Sequence, residues 1–456
     1  MRFKIWLICI LLSVTYLGLT FAGKTTPKIG IIGGGIGGAS VAYFIHELLP
    51  NARVDIFEKT GLLGGRLNVS MILGNGYETG GSIIHPKNKY AVDLANKFGL
   101  EPRSPTGEAL SITKDGEFIF NTSKWTIITI IKTLARYGLN FNYLEATISG
   151  FIEKFSRIYD FQKDGKTFRT TEEMLEAMDP MLLNLTKYEF KGILQEQGLS
   201  ENFIEEMIQA ITFVNYGQDL SIHSFVGSVA AAGAASSLWS VNKGNKQIPE
   251  KLAEDSKAKV HLNTGVTEIQ RLSDGTFLLF NGKRELGVFD HIVLAIPLDA
   301  SEKLTFTGFT SPPYDYPASR KYHRTVATLV AGWTNDKYKF RSSIISCVPN
   351  WYNSISLIHP TILLVAEKYP VYKIFSPKPL TEKQLDSIFE ERHHVEVHDW
   401  LAYPEYNAIP PKIPNFILAP RLFYLNAIEW AASAMEMSLI SGKNIALLIA
   451  QEQNEI

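Results

Sequence analysis

Lys28-Ile29-Gly30-Ile31-Ile32-Gly33-Gly34-Gly35-Ile36-Gly37-Gly38 reads as a buried strand running into a glycine turn that opens a helix over about residues 38–49. This is the pattern of a dinucleotide-binding fingerprint. Gly33 permits the tight turn, Gly35 lets the backbone approach a pyrophosphate, and Gly38 lets the helix sit close to the strand. The pyrophosphate would lie on free N–H groups at the positive end of that helix. A bare glycine pattern is weak support, because such turns also occur without a ligand. Here Arg53-Val54-Asp55-Ile56-Phe57 forms a second strand that ends in Glu58, whose carboxylate is placed to accept both ribose hydroxyls of an adenosine.

The segments that follow narrow the ligand. Gly61-Leu62-Leu63-Gly64-Gly65-Arg66-Leu67 is a short glycine loop carrying one guanidinium. At Gly65 the backbone is free to approach a diphosphate, and the planar fork of Arg66 suits bidentate binding of its oxygens. Tyr77-Glu78-Thr79-Gly80-Gly81-Ser82 is a further point where backbone, at Gly81 and Ser82, would pass close to a flat ring. Plain nicotinamide enzymes do not need this series, whereas FAD enzymes do. No second GxGxxG is present for a nicotinamide cofactor, which favours molecular oxygen (O2) as electron acceptor.

The order of fingerprint, acid, Gly-Gly-Arg and later Gly-Gly-Ser resembles the flavin amine oxidase superfamily. Within it, three stretches are similar to the prenylcysteine oxidase family: Gly80-Gly81-Ser82-Ile83-Ile84-His85-Pro86, Val214-Asn215-Tyr216-Gly217-Gln218 and Leu401-Ala402-Tyr403-Pro404. The ending Tyr424-Leu425-Asn426-Ala427-Ile428-Glu429, continued by Ala431-Ala432-Ser433-Ala434-Met435-Glu436-Met437-Ser438, is similar too. The resemblance implies an α/β fold: a Rossmann-type FAD-binding domain of the GR2, amine-oxidase-like kind with an inserted mixed α+β substrate domain. It also implies that Val266 offers its backbone to the adenine and that Glu429 binds the ribityl hydroxyls. Met435, Glu436 and Met437 would open a last helix whose N-terminal N–H groups face the flavin pyrimidine. The implied activity is FAD-dependent oxidation of S-farnesyl or S-geranylgeranyl cysteine to cysteine, a prenyl aldehyde and hydrogen peroxide. The implied setting is the lysosome lumen, with secretion and lipoprotein association as further possibilities. Rival readings are another amine oxidase or desaturase of the superfamily, or a prenyl-binding protein without flavin, like the Rab GDP-dissociation inhibitors.

The cofactor domain is expected in three pieces, 27–100, 239–299 and 420–456, separated by substrate-binding insertions at 101–238 and 300–419. Alternation over Val260 to Ile269 predicts one half-buried strand. Phe277 to Gly282 predicts a hairpin arm closed by Asn281-Gly282. Asp290 to Pro297 predicts a fully buried strand. Phe203 to Ile211 predicts a helix, and Pro404 to Pro414 a rigid loop. Both insertions are rich in aromatics, as a chamber for an apolar substrate would be.

Residues 1–22 have a basic start and a short apolar stretch ending in small residues, the pattern of a secretory signal peptide. No other segment is long and apolar enough to span a bilayer as a helix. Without the cysteine at position 9, Cys347 stands alone, so no intrachain disulfide is expected; as a plain buried thiol it leaves FAD non-covalent. Asn-x-Ser/Thr triplets begin at Asn68, Asn121 and Asn184. Asn121 and Asn184 are the expected glycosylation sites, since a cofactor would crowd Asn68. The ten histidines show no metal-ligand spacing, and His85 reads as a packing residue near the ring rather than a catalytic one. A composition of 45% hydrophobic and 20% charged residues with net charge −1 suits a globular enzyme and gives no field to attract nucleic acid.

Overall fold

A computed structural model describes residues 26–455 except 105–108, 124, 234–237, 340–341 and 409–411. The expected signal peptide, and part of the expected Pro-rich loop, lie outside the described residues.

The fingerprint folds as read. Strand β1 (Lys28–Ile32) is followed by helix α1 (Ile36–Leu48) and strand β2 (Arg53–Phe57). Strands β3 (Lys259–His261), β4 (His291–Leu294), β5 (Ile417–Ala419) and β6 (Leu422–Tyr424) join them in one sheet of order β5-β6-β4-β1-β2-β3. Every pairing is parallel except β5 with β6. The central strands must be apolar on both faces, because helix α1 covers one face and strand Arg284–Phe289 of another sheet lies on the other, Phe289 meeting Phe57 edge to face at 5.7 Å. β4 is buried at all four positions. Helix α2 (Met435–Glu455) packs on α1 closely enough that a Cβ on Gly442 would lie 2.0 Å from Ser40 Oγ.

Two local expectations need correction. The run Val260 to Ile269 is two strands in two sheets. β3 stops at His261, Asn263 turns the chain with φ +51°, and Glu268–Arg271 enters a separate four-stranded sheet. Asparagine tolerates that left-handed backbone, and alternation alone does not register the break. The hairpin after Phe277–Asn281 turns on Gly282 and Lys283, with Asn281 opposite Arg284, one residue later than an Asn281-Gly282 turn.

The segments between these pieces build a second body. Helices, among them Asn140–Phe155, Gln209–Tyr216 and Ser224–Ala232, come from the first insertion. The helix expected at Phe203 begins as a π-helical stretch, Phe203–Ile208, before becoming α-helical. A seven-stranded sheet takes Leu110–Lys114 and Glu117–Asn121 from the first insertion. Tyr322–Thr334, Ser343–Ser346, Ser354–Ile358, Val371–Ser376 and Phe389–Pro404 come from the second. Helix Thr126–Tyr137 leaves much of its apolar surface uncovered: Ile127 is 73% exposed and Ile131 60% exposed. No helix among the described residues is long and apolar enough to cross a membrane.

Candidate active site

A cavity of about 1870 Å³ runs from the fingerprint turn to the seven-stranded sheet. Ligand pockets commonly enclose about 300–1,000 Å³, so this one has room for a dinucleotide and a second molecule together. Of the residues singled out from sequence, Gly33, Gly35, Glu58, Gly65, Arg66, Gly81, Ser82, Val266, Met435, Glu436 and Met437 line it.

The turn itself separates two kinds of glycine. Gly33 has φ +108°, and a Cβ there would lie 2.5 Å from the Ala295 carbonyl oxygen; a Cβ on Gly38 would lie 1.9 Å from the Gly33 oxygen. These two are required by the fold. Gly35 has ordinary extended backbone, and a Cβ built on it meets no protein atom nearer than 3.8 Å. Its lack of a side chain therefore keeps cavity space open, as a close-approaching pyrophosphate requires. The Gly-Gly-Arg loop closes over this point, Gly64 N donating to the Gly34 oxygen at 3.0 Å. Glu58 is held by donors on both oxygens: Gly34 N reaches Oε2 at 2.8 Å, and the Thr60 amide and hydroxyl reach Oε1 at 2.8 Å. With Oε1 taking two donors and Oε2 one, Oε2 keeps a lone pair for a hydroxyl donor. The glycine cradle and this fixed acid fit the adenosine diphosphate half of FAD.

Arg66, expected at the diphosphate, lines the cavity with its guanidinium already engaged by the protein. Its guanidinium donates to both oxygens of Glu429, to the Ala402 carbonyl, and to Ser433 Oγ at 3.4 Å. The physical reason is burial: Glu429 is fully buried, and a carboxylate there requires a charged partner. Tyr322 completes its shell, donating at 3.0 Å. The residue expected at the diphosphate and the one expected at the ribityl chain thus form one ion pair at the cavity wall.

The Glu436 side chain turns into the protein. Its carboxylate accepts from Tyr90 N at 2.7 Å, Ala91 N at 3.0 Å and Tyr159 Oη at 2.8 Å, so it caps the N-terminus of helix Lys89–Lys97. Burial pushes its pKa up to about 7, against those donors. The side chain is committed to the protein. What α2 offers the cavity is its first-turn N–H groups, which have no partner within the helix.

Two family-like stretches meet in space. Tyr216 and Tyr403 pack edge to face at 5.2 Å, and Gln218 donates to the Pro404 oxygen at 3.1 Å. Tyr406 joins them at 5.3 Å from Tyr216 and accepts from Ser433 N at 2.8 Å. Burial raises all three phenol pKa values, so these rings stay neutral. Sequence reading quoted Tyr216 and Tyr403 without a role, and no local period links them. It also missed buried Lys373 and half-buried Glu78 on the cavity wall. Apolar lining comes from Phe151, Phe155, Phe213 and Leu357.

His85 lines the cavity with Nδ1 accepting from Lys87 N at 3.0 Å, a local structural bond. Cys347 is a buried free thiol outside the cavity lining, its pKa pushed up to about 11 by burial. Asn184 is exposed, while Asn121 and Asn68 are half-buried. Among the described residues no cluster of three or more potential metal ligands occurs.

Solved structures with this fold include the CLA-producing fatty acid isomerase from P. acnes (14% identity, TM-score 0.66, covering 92% of this chain and 97% of that one). Cyclohexylamine oxidase from Brevibacterium oxydans is another (16% identity, TM-score 0.62, covering 94% of this chain and all of that one). Residues 31–98 match the NAD(P)-binding Rossmann-like domain, and residues 120–455 match the prenylcysteine lyase family. Human prenylcysteine oxidase 1 is 34% identical over 94% of this chain and 89% of its own length. Human prenylcysteine oxidase 1-like is 32% identical over 95% of this chain and 92% of its own. With family residues spanning both the cofactor cradle and the second body, the chain belongs to the prenylcysteine oxidase family.

Proposed function

We propose that the chain is an FAD-dependent thioether oxidase that converts S-prenyl-L-cysteine, molecular oxygen and water into cysteine, prenyl aldehyde and hydrogen peroxide. The observation that carries this reading is the single cavity joining the dinucleotide cradle to an apolar chamber. Bound FAD supplies a hydride acceptor and passes the electron pair to oxygen. Gly33, Gly35, Glu58, Gly65 and Val266 would hold its nucleotide half. Gly81, Ser82, the Arg66–Glu429 pair and the first turn of α2 would face the rest. Cys347, buried away from the cavity, leaves the cofactor non-covalent.

C1 of the prenyl group is allylic and bonded to sulfur, so loss of hydride leaves a cation stabilised from both sides. Water adds there, and the hemithioacetal collapses to thiol and aldehyde. The chain's tasks are therefore to position C1 and to limit water. Burying a farnesyl chain contributes on the order of 10 kcal/mol at about 0.8 per carbon, before ordering costs.

The N-terminal pattern supports passage through the secretory pathway, with the lysosome lumen as destination and secretion as alternative. Exposure of Asn184 favours glycosylation there. The uncovered apolar side of Thr126–Tyr137 supports contact with a lipid or lipoprotein surface, where prenylated substrates partition.

Deuterium at prenyl C1 is expected to slow anaerobic flavin reduction, while deuterium at the cysteine α-carbon leaves it unchanged. The reverse pattern, with ammonia released, would identify an amino-acid oxidase and end this assignment.

A further inference from the structure

The cavity wall carries two charges that the protein itself leaves incomplete. Lys373, on the strand Val371–Ser376, is 5% exposed and lines the cavity. Its ammonium donates one hydrogen bond, to the Glu78 backbone oxygen at 3.3 Å, lies 5.0 Å from the centre of the Phe375 ring, and forms no ion pair among the described residues. Opposite it, Glu78 accepts from Asn245 N at 2.6 Å through Oε1, while its buried Oε2 has no partner. A buried ammonium without a carboxylate, beside a carboxylate oxygen without a donor, is costly and calls for an explanation.

Strand register adds hydroxyls. Ser343 pairs with Ser356, and Ser356 with Lys373, so three polar cavity residues lie in a row across adjacent strands. The two serine hydroxyls are 3.2 Å apart. Glu78 lies three residues before Gly81, in the segment expected at the flavin ring.

We infer that Lys373 with Ser356 receives the α-carboxylate, and Glu78 Oε2 the α-ammonium, of a zwitterionic amino-acid head whose apolar tail fills the chamber. This rests on the thioether reading given above. The head is then held a short distance from the ring, as the reacting carbon next to sulfur requires. The charge state fits: burial pushes Lys373 down to about 8 and Glu78 up to about 7, the Asn245 N–H and then the charges of Lys373, Arg103 and Lys246 opposing the latter. An opposite ligand charge on each would restore full ionisation. The bland alternative is that the two groups merely neutralise each other as part of the fold.

Binding of saturated S-dodecyl-L-cysteine, S-dodecylcysteamine and dodecylthiopropionate to the holoenzyme, read from flavin absorption, separates these. In the wild type, loss of either the carboxylate or the ammonium is expected to weaken binding by at least about 30-fold. Lys373→Met should level the cysteine and cysteamine ligands to within about 3-fold, and Glu78→Gln the cysteine and propionate ligands. Lys373→Arg, which keeps the cation, should retain the discrimination. A wild type that binds all three alike overturns the subsite. So does a Lys373→Met variant that weakens all three equally, or loss of discrimination in Lys373→Arg. Oxygen consumption with the farnesyl series is a separate readout: discrimination in binding with no turnover of any farnesyl thioether would sink the oxidase reading and leave the subsite standing.

Discussion

Replacing Gly35 by valine should divide the two roles of the fingerprint. The position has φ −75° and ψ −176°, extended backbone open to any residue, and a Cβ there would have 3.8 Å of clearance. Apoprotein stability should stay within about 1 kcal/mol of wild type, since losing glycine's unfolded-state freedom even helps slightly. The added methyls, however, occupy cavity space where pyrophosphate meets backbone. Loss of two charge-assisted N–H to phosphate bonds, at about 1.5–3 kcal/mol each, amounts to roughly a hundred- to ten-thousand-fold in FAD affinity. Gly38→Ala should do the opposite: with 1.9 Å to the Gly33 oxygen the turn itself must move, and the apoprotein should melt early. The assay is paired thermal melts with and without added FAD, together with the flavin-to-protein absorbance ratio. Gly35→Val is expected to melt within about 3 °C of wild-type apoprotein and to lose the rise on adding FAD. Retention of stoichiometric flavin by Gly35→Val, or an apoprotein as unstable as Gly38→Ala, would refute the division.

His223 should make stability fall in acid. It is fully buried, its Nδ1 accepts from Val226 N at 3.4 Å to cap helix Ser224–Ala232, and burial pulls its pKa down to about 4. Below an ordinary value near 6.5 the unfolded chain takes up a proton that the folded one refuses, so its contribution is whole above pH 6.5 and is lost towards pH 4, about 3 kcal/mol in all. His223→Asn keeps a capping acceptor without the titration and should flatten that part of the pH–stability curve; an unchanged slope refutes the assignment. Ile127→Glu with Ile131→Glu should reduce flotation with phosphatidylcholine–phosphatidylserine vesicles by at least about 10-fold, since each isoleucine brings about 1.5–3 kcal/mol on burial. Equal flotation of variant and wild type would remove the lipid-surface proposal.

What could be read from sequence was local. β1, its glycine turn, α1 and β2 follow one another within a single stretch, so periodicity and glycine placement sufficed. Val260 to Ile269 was misread because sheet membership is decided by distant partners: β3 joins β2, while Glu268–Arg271 pairs with Phe277–Asn281 and Thr305–Thr307. Within the site, pairings between distant residues were hidden for the same reason. Arg66 and Glu429 were each recognised as cofactor-facing, yet their pairing across most of the chain carries no local signature. Glu436 looked like a helix-start acid, and its true partners belong to helix Lys89–Lys97. The row from Ser343 to Lys373 exists through strand register alone, which alternation does not supply.

The packing of α2 on α1 sets a timetable for synthesis. Ten consecutive residues of α1, Ile36 to Ile45, are buried in the finished protein. Part of their cover is α2, which leaves the ribosome only after both insertions. At about 5–20 residues per second, the interval between the two is roughly 20–80 s. For much of it β1 and β2 also lack β4, and for nearly all of it β6, so a sticky, half-built sheet is exposed to its neighbours. Until α2 emerges the nascent chain presents apolar surface of the kind holding chaperones cover, and a ribosome that stops short of Met435 releases a product whose α1 stays partly bare.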